Sequence, residues 1–252
     1  MAVITISRQV AALGDEIAAS LADELNYKFV GRKDIEQRIV ELGFPEEKLK
    51  KYDERKPGFF ASLVKDRDEY LDYLQTAVLE AACDNKTILI GRGACVVLEK
   101  IPSLISLRFI ADDTIRMHRL ENEFSWDEKK AKQRIDESDE NRRGFHKSFF
   151  NLDINDPSRY LLTINTGLLD VPSSTQLIAG VVKTLVTPEK EEQSKKRLRC
   201  MLDAQLLINK LVFEYKLNIE FLRASIEGGT VVLHGIADSS ALVERALKTA
   251  AV

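Results

Sequence analysis

Apolar and polar positions along the chain change their period several times, and each change marks a predicted element. Val3-Ile4-Thr5-Ile6 is a β-branched run, and after Ser7-Arg8-Gln9-Val10-Ala11-Ala12-Leu13-Gly14 the residues Ile17, Ala18, Leu21, Ala22 and Leu25 recur at helical spacing. This predicts a strand, a loop and an amphipathic helix from about Asp15 to Leu25. Tyr27-Lys28-Phe29-Val30 leads into a charged helical region that runs through Leu42 and breaks at Gly43-Phe44-Pro45. A mixed stretch ends at Lys56-Pro57-Gly58, and a long helix is predicted over about Asp66 to Cys83. A second apolar strand, Thr87-Ile88-Leu89-Ile90, runs into Gly91-Arg92-Gly93, and a third, Ile105 to Ile110, into Ala111-Asp112-Asp113. Thr114 to Phe149 reads as almost wholly helical, with a break near Glu123-Phe124-Ser125. Asp156-Pro157-Ser158 marks a turn, Tyr160 to Asn165 a further strand, and Ser173 to Val186 a closing helix. Strands alternating with helices imply βαβ units, and so an α/β fold with a parallel sheet of four or five strands.

From Thr187-Pro188-Glu189-Lys190-Glu191-Glu192 the composition turns charged before a new apolar pattern begins. This predicts a domain over residues 1–186, a linker over 187–196 and a small αββα unit over 197–252. The unit reads as a helix from about Leu198 to Lys216, a strand from Asn218 to Ile226, a turn at Glu227-Gly228-Gly229, a strand from Thr230 to Gly235 and a helix from Ser239 onward. A Gly-Gly turn between two β-branched runs is a hairpin signal.

Composition narrows the classes of function. With 252 residues, 44% of them hydrophobic, the chain can bury a substantial core. A net charge of -3 argues against wholesale nucleic-acid binding. No apolar run approaches the roughly 20 residues that span a bilayer, and the first residues lack the order of a signal peptide; a cytoplasmic location is expected. Cys83, Cys95 and Cys200 are too few and too scattered for a disulfide framework or a zinc site.

The first thirty residues have the layout of a phosphate-binding loop, yet much of its chemistry is missing. Such a loop uses glycines so that backbone N–H groups can wrap a phosphate, and a Lys to hold its charge. Here only Gly14 remains, followed by Asp15 and Glu16.

Taken in order, Ile4-Thr5-Ile6-Ser7-Arg8-Gln9, Ile90-Gly91-Arg92-Gly93-Ala94, Arg116 with Arg119, and Tyr160-Leu161-Leu162-Thr163-Ile164-Asn165-Thr166 resemble the cytidylate kinase-like family of P-loop proteins. The resemblance implies a nucleoside monophosphate kinase architecture, with ATP on the loop after the first strand and CMP under a helical flap. It implies ATP and Mg2+ as cofactors. Donor phosphates would meet Arg8 and the loop from Val10 through Ala11, Ala12, Leu13, Gly14, Asp15 and Glu16; the acceptor phosphate would meet Arg92. Lid arginines would come from Arg116, Arg119, Arg134, Arg142 and Arg143, with Arg116, Arg119 and Arg142 the catalytic candidates. The C-terminal unit, through Gly229-Thr230-Val231-Val232-Leu233-His234-Gly235-Ile236-Ala237-Asp238-Ser239, is similar to the BON module of bacterial envelope and regulatory proteins. That likeness implies lipid or protein contact and leaves a membrane-peripheral location open. The chain ends before the final strand such modules usually have, so this sheet is expected to be incomplete or completed by another chain.

Departures from the family pattern shape the functional expectation. Relatives usually keep a Gly-Ser-Gly-Gly run followed by Arg, where this chain has Ala11-Ala12-Leu13-Gly14 and Asp15. Carboxylates at a helix N-terminus favour the helix dipole but repel a phosphate. Gly31 and Gly93 stand where acceptor aspartates are expected, with Asp34 a substitute for the first. The leading expectation is therefore a nucleotide-binding or regulatory protein with little or no kinase turnover. The alternatives are an active nucleoside monophosphate kinase, and an interaction scaffold. Each arginine also has a plain reading: a loop-tethering salt bridge for Arg8, an ion pair with a helix carboxylate for Arg92, a solvated face for the lid set. Asp112-Asp113 either bind magnesium or cap the next helix, and His118, His146 and His234 form no recognisable site.

Overall fold

The computed structural model describes residues 2–49, 64–84 and 86–250, and the predicted break at Lys56-Pro57-Gly58 lies outside them. Five strands form one parallel sheet: β1 (Val3–Arg8), β2 (Lys28–Val30), β3 (Thr87–Ile90), β4 (Leu104–Ile110) and β5 (Leu162–Asn165), in the order β2-β3-β1-β4-β5. Val3 pairs with Thr87 on one side and Leu104 on the other, so β1 is central. Every link between these strands is a crossover, as parallel pairing requires, and β1 delivers its loop to the middle of the sheet's C-terminal edge, where such sheets bind ligands.

Alternation along the strands divides the core between two faces. Ile4, Ile6, Ile88, Ile90, Leu107 and Phe109 pack against α1 (Gly14–Leu25) and, late in the chain, α8 (Val171–Leu185). On the other face Val3 and Leu89 meet α2 (Arg32–Glu41), α4 (Val64–Cys83) and the C-terminal part of α7 (Glu128–Phe150). Between lie two short helices, α3 (Glu46–Leu49) and α5 (Ala94–Val97), and α6 (Asp113–Phe124), which pairs with α7. Strand β5 starts two residues later than expected, because Pro157–Arg159 forms a 3₁₀ turn and the Tyr160 hydroxyl donates to Ile154 O at 2.9 Å.

Residues 188–196, expected as part of a linker, are helical. Helix α9 (Pro188–Asn209) starts with Thr187 accepting from Lys190 N at 3.3 Å, Pro188 in the first turn, and Glu189 and Glu191 near the positive end of the helix dipole. A composition resembling a linker is thus a helix start. Ser194 is buried against Ser103, and Leu198 and Leu202 enter the core built on α4. A π-helical turn (Lys210–Glu214) leads to the antiparallel hairpin β6 (Glu220–Glu227) and β7 (Thr230–Ile236), then α10 (Ser240–Ala250). Gly228 and Gly229 both take positive φ in the hairpin turn, and Leu211, Leu217 and Ala246 form a small core there.

Helices α4 and α9 also share a polar seam. Gln205 Nε2 donates to Asp72 Oδ1 and to Asn209 Oδ1, each at 3.1 Å, and Asn209 Nδ2 donates to Thr76 Oγ1 at 2.8 Å. Burial, with Asp68 and Glu69 nearby, pushes the Asp72 carboxyl up to about 6 against the pull of the Gln205 hydrogen bond. A carboxyl whose pKa is raised by folding adds stability below its unfolded value, and that stability is lost as pH rises through the folded one. The window here runs from about pH 4 to 6. We therefore expect Asp72→Asn to raise stability at pH 7.5 by on the order of 1 to 3 kcal/mol and to reduce the decline between pH 4 and 6. Urea denaturation across that range checks it, and an unchanged pH profile refutes it.

Candidate functional site

Beyond Arg8 the chain turns through Gln9 to Leu13 into α1. Gln9 N donates to Phe109 O at 3.0 Å, fixing the loop's start against β4. Ala11 has φ +57° and Leu13 φ +53°, with Ala12 between them outside the positive-φ set. Left-handed residues alternating in this way are the backbone form of an anion nest, although Ala12 N donates within the loop to Gln9 O at 3.4 Å. The amides of Ala11, Leu13 and Gly14 have no acceptor among the described residues. The two left-handed residues stand where relatives are expected to carry glycine, and each L-residue so placed costs about 1–2 kcal/mol.

Neighbours hold this strained shape. Arg119 of α6 donates from Nη1 to Ala11 O at 2.9 Å and to Thr166 Oγ1 at 3.2 Å, and from Nη2 to Thr166 O at 2.6 Å. It therefore clips the loop to the end of β5 through carbonyls. Ala12 is fully buried and Leu13 packs on the same core cluster. Gly14 is required by space, since a Cβ there would lie 2.7 Å from Arg8 Cγ. Arg8, laid across Gly14, puts Nε 3.5 Å from Asp15 Oδ2, but Asp15 is mostly exposed. This ion pair tethers the loop and contributes little stability. Glu16 is exposed beside it, so two carboxylates face any anion that approaches the first turn of α1.

Arg92 lies on the other side of β1. Gly91, Arg92 and Gly93 all have positive φ, at +81°, +53° and +68°. This turn sends Arg92 inward to 3% exposure. Its Nη2 ion-pairs with Glu36 of α2, whose Oε1 also takes Arg32 Nε at 2.7 Å. Its Nη1 lies 3.5 Å from the Tyr70 hydroxyl, and its guanidinium carbon lies 5.9 Å from the centre of the Phe145 ring. Burial, with Arg32 and Arg8 nearby, pushes the guanidinium below its ordinary value, and Glu36 supplies the counter-charge. A cavity of about 20 Å³ remains, lined in part by Arg8, Arg92, Arg142 and His146. That is room for a single water, whereas small-molecule sites need roughly 300–1,000 Å³.

Two further positions, expected from the resemblance to serve an acceptor, are occupied otherwise. A Cβ on Gly93 would run into the Phe150 ring at the end of α7, so an aspartate cannot stand there in this packing. Asp34, the candidate substitute, accepts from Gly31 N at 2.7 Å and caps α2.

The remaining arginines separate. Arg116, 1% exposed, meets Asp113 at 2.5 Å and Asp139 at 3.0 Å and ties α6 to α7. Arg142 donates to Ser138 Oγ on its own helix, while Arg134 and Arg143 are exposed. Of the histidines, only His146 reaches the cavity, with Nδ1 2.9 Å from Arg142 O. Asp112 takes the capping role, accepting from Thr114 N at 2.8 Å. Asp113 is paired with Arg116, and no cluster of three His, Cys, Asp or Glu suited to a metal occurs among the described residues. The loop backbone has the form that fits an anion, and the described side chains offer no ready magnesium cluster. Sequence reading missed Glu36 and Tyr70, which lie 56 and 22 positions from Arg92 and leave no local signal.

Left-handed strain at Ala11 generates a stability test. Ala11→Gly should stabilise by roughly 0.5 to 1 kcal/mol, the relief of strain less the chain entropy of glycine. Arg119→Ala should destabilise by about 1 to 3 kcal/mol, and by less when Ala11 is already Gly. Simple additivity in this double-mutant cycle would show that Arg119 does not hold the loop.

Comparison with known proteins gives these features a parentage. No curated protein matches the chain. Among solved structures, an uncharacterized protein from Eubacterium ventriosum superposes at a TM-score of 0.59 with 20% identity, covering 73% of this chain and 98% of its own. A looser likeness, TM-score 0.45 at 14% identity, is to a shikimate kinase from Bacteroides thetaiotaomicron, covering 72% of this chain and 98% of that one. The model of the cytidylate kinase-like family matches residues 3–168, which hold the loop, the Arg92 turn and the α6–α7 pair, and the chain belongs to that family.

Proposed function

We propose that this chain binds a nucleotide through its phosphate groups on the loop from Val10 to Glu16, and that it acts as a nucleotide-responsive or regulatory protein with little or no kinase turnover. The observation that carries this reading is a contrast between the two halves of the site. On the donor side, the amides of Ala11, Leu13 and Gly14, which have no acceptor among the described residues, support anion binding by main chain alone. On the acceptor side, Arg92 is held by Glu36 beside a cavity of about 20 Å³. Phosphoryl transfer depends on positioning two substrates and stabilising charge on the moving group. Arg116 and Arg119, two arginines suited by type to that work, are engaged by Asp113 and Asp139 and by the Ala11 and Thr166 carbonyls.

Residues 197–252 are proposed as a BON-like interaction module attached to the kinase-like domain. Supporting this are the order helix, strand, strand, helix, the antiparallel hairpin and its small core. Phe221, Val231, Ile236 and Leu247 leave apolar surface exposed there.

Two assays on the whole chain test the reading. Calorimetric titration with ATP, CTP and CMP is expected to give saturable heat with at least one nucleotide. A coupled assay with ATP-magnesium and each NMP or dNMP should stay at background. Turnover of roughly 1 to 100 per second, abolished in a folded Arg92→Ala variant, would establish an active kinase instead. No heat with any nucleotide would leave the scaffold reading.

A further inference from the structure

Three arginines are buried among the described residues: Arg92, Arg108 and Arg116. Arg92 has Glu36, and Arg116 has Asp113 and Asp139. Arg108, at 5% exposure, has no carboxylate within ion-pair distance among the described residues. Its Nη1 donates to Ser7 Oγ at 3.1 Å, its Nη2 to Asn155 Oδ1 at 2.7 Å, and its guanidinium carbon lies 5.6 Å from the centre of the Tyr160 ring. Each partner is neutral, so the cation is solvated but its charge is not cancelled. A buried charge left so is costly, which is why buried charges are paired or hold a ligand.

The surroundings of Arg108 are open where those of Arg92 are closed. In register it lies between Ser7 on β1 and Thr163 on β5. Leu162 and Ile164 of β5 pack into the core shared with α1 and α8, while Thr163 and Asn165 are exposed on the opposite face. Over that face lies a groove of about 480 Å³, lined by Arg108 together with Gln9, Asp112, Asn155, Thr163 and Asn165, among others. Its volume falls in the range of small-molecule sites. Asp112 on the rim is engaged by Thr114 N, and Gln9 Oε1 accepts from Ala111 N at 3.1 Å. Asn155, Thr163 and Asn165 supply neutral side chains that hydrogen-bond hydroxyl groups.

We propose that this groove is a second binding site, separate from the phosphate loop, for a small hydroxylated oxyanion whose carboxylate or phosphate neutralises Arg108. The anion sits at the floor, against the guanidinium, and its hydroxyls face the amide and hydroxyl side chains of the rim. The groove adjoins the start of the loop at Gln9, but it does not rest on the loop reading, because none of its lining residues belongs to the segment from Val10 to Glu16.

The test is a titration of the ¹⁵N-labelled full chain with glycerol 3-phosphate, malate and inorganic phosphate, followed by NMR. Glycerol 3-phosphate or malate should shift the side-chain amides of Asn155 and Asn165 saturably, and the preference between them identifies the anionic group. Inorganic phosphate, lacking hydroxylated carbon, should bind at least tenfold more weakly than the better of the two. Thr163→Trp fills the groove from an exposed position and should abolish these shifts with the fold intact; Arg108→Gln should do the same, and Arg108→Lys should restore part of the affinity. Shifts confined to the amides of Ala11 to Gly14 would overturn the second site while supporting the loop reading. No saturable shift with any of the three probes would also overturn it.

Discussion

A guanidinium taken out of water needs a counter-charge, and that requirement organises the C-terminal edge of this sheet. Arg92 is turned inward by three consecutive residues of positive φ, and Glu36 reaches it from α2 while also holding Arg32. Glu36 thereby links α2 to the end of β3, and the arginine draws Tyr70 of α4 and Phe145 of α7 around it. Arg116 repeats the arrangement between α6 and α7. Removing one partner from such a pair is far costlier than never having built it, so these pairs fix where the helices sit.

The loop illustrates a different economy. Its backbone keeps the alternating handedness of a phosphate nest without the glycines that make such a shape easy to adopt. The stabilising contributions come from elsewhere: the buried Ala12, the packed Leu13 and the Arg119 clip to Ala11. In a phosphoryl-transfer site, charged side chains stabilise the reacting group. Here Arg119 stabilises main chain, while Arg92 and Arg116 are engaged by carboxylates.

Much of the fold was legible from periodicity because the sheet is simple. Four of the five strands of the parallel sheet were found within a few residues, since buried β-branched runs bounded by turn residues have few other readings; β2, only Lys28–Val30, is too short to show a period and was not read as a strand. The α9 start was misread for a physical reason: Thr187, Pro188 and the glutamates that begin a helix resemble the residues that fill linkers. Gly31 and Gly93 were recognised as departures from the family pattern, but what occupies the vacated acceptor space was not, because Phe150 meets Gly93 only through the tertiary fold. Arg108 did leave a trace in the sequence, as a cation within the apolar run Ile105 to Ile110. Its meaning required knowing that, among the described residues, no acidic residue reaches it.

Phe150 against Gly93 also bears on how this chain can change. An aspartate at 93 would need the ring moved first, and a smaller residue at 150 would open a hole in the contacts that Phe150 makes with Phe145 at the end of α7. Neither substitution is favourable until the other has been made. Each is therefore opposed when it occurs alone, and the packing acts as a ratchet: the route from glycine to an acidic residue at 93 passes through a less stable intermediate, whatever advantage the double change would bring.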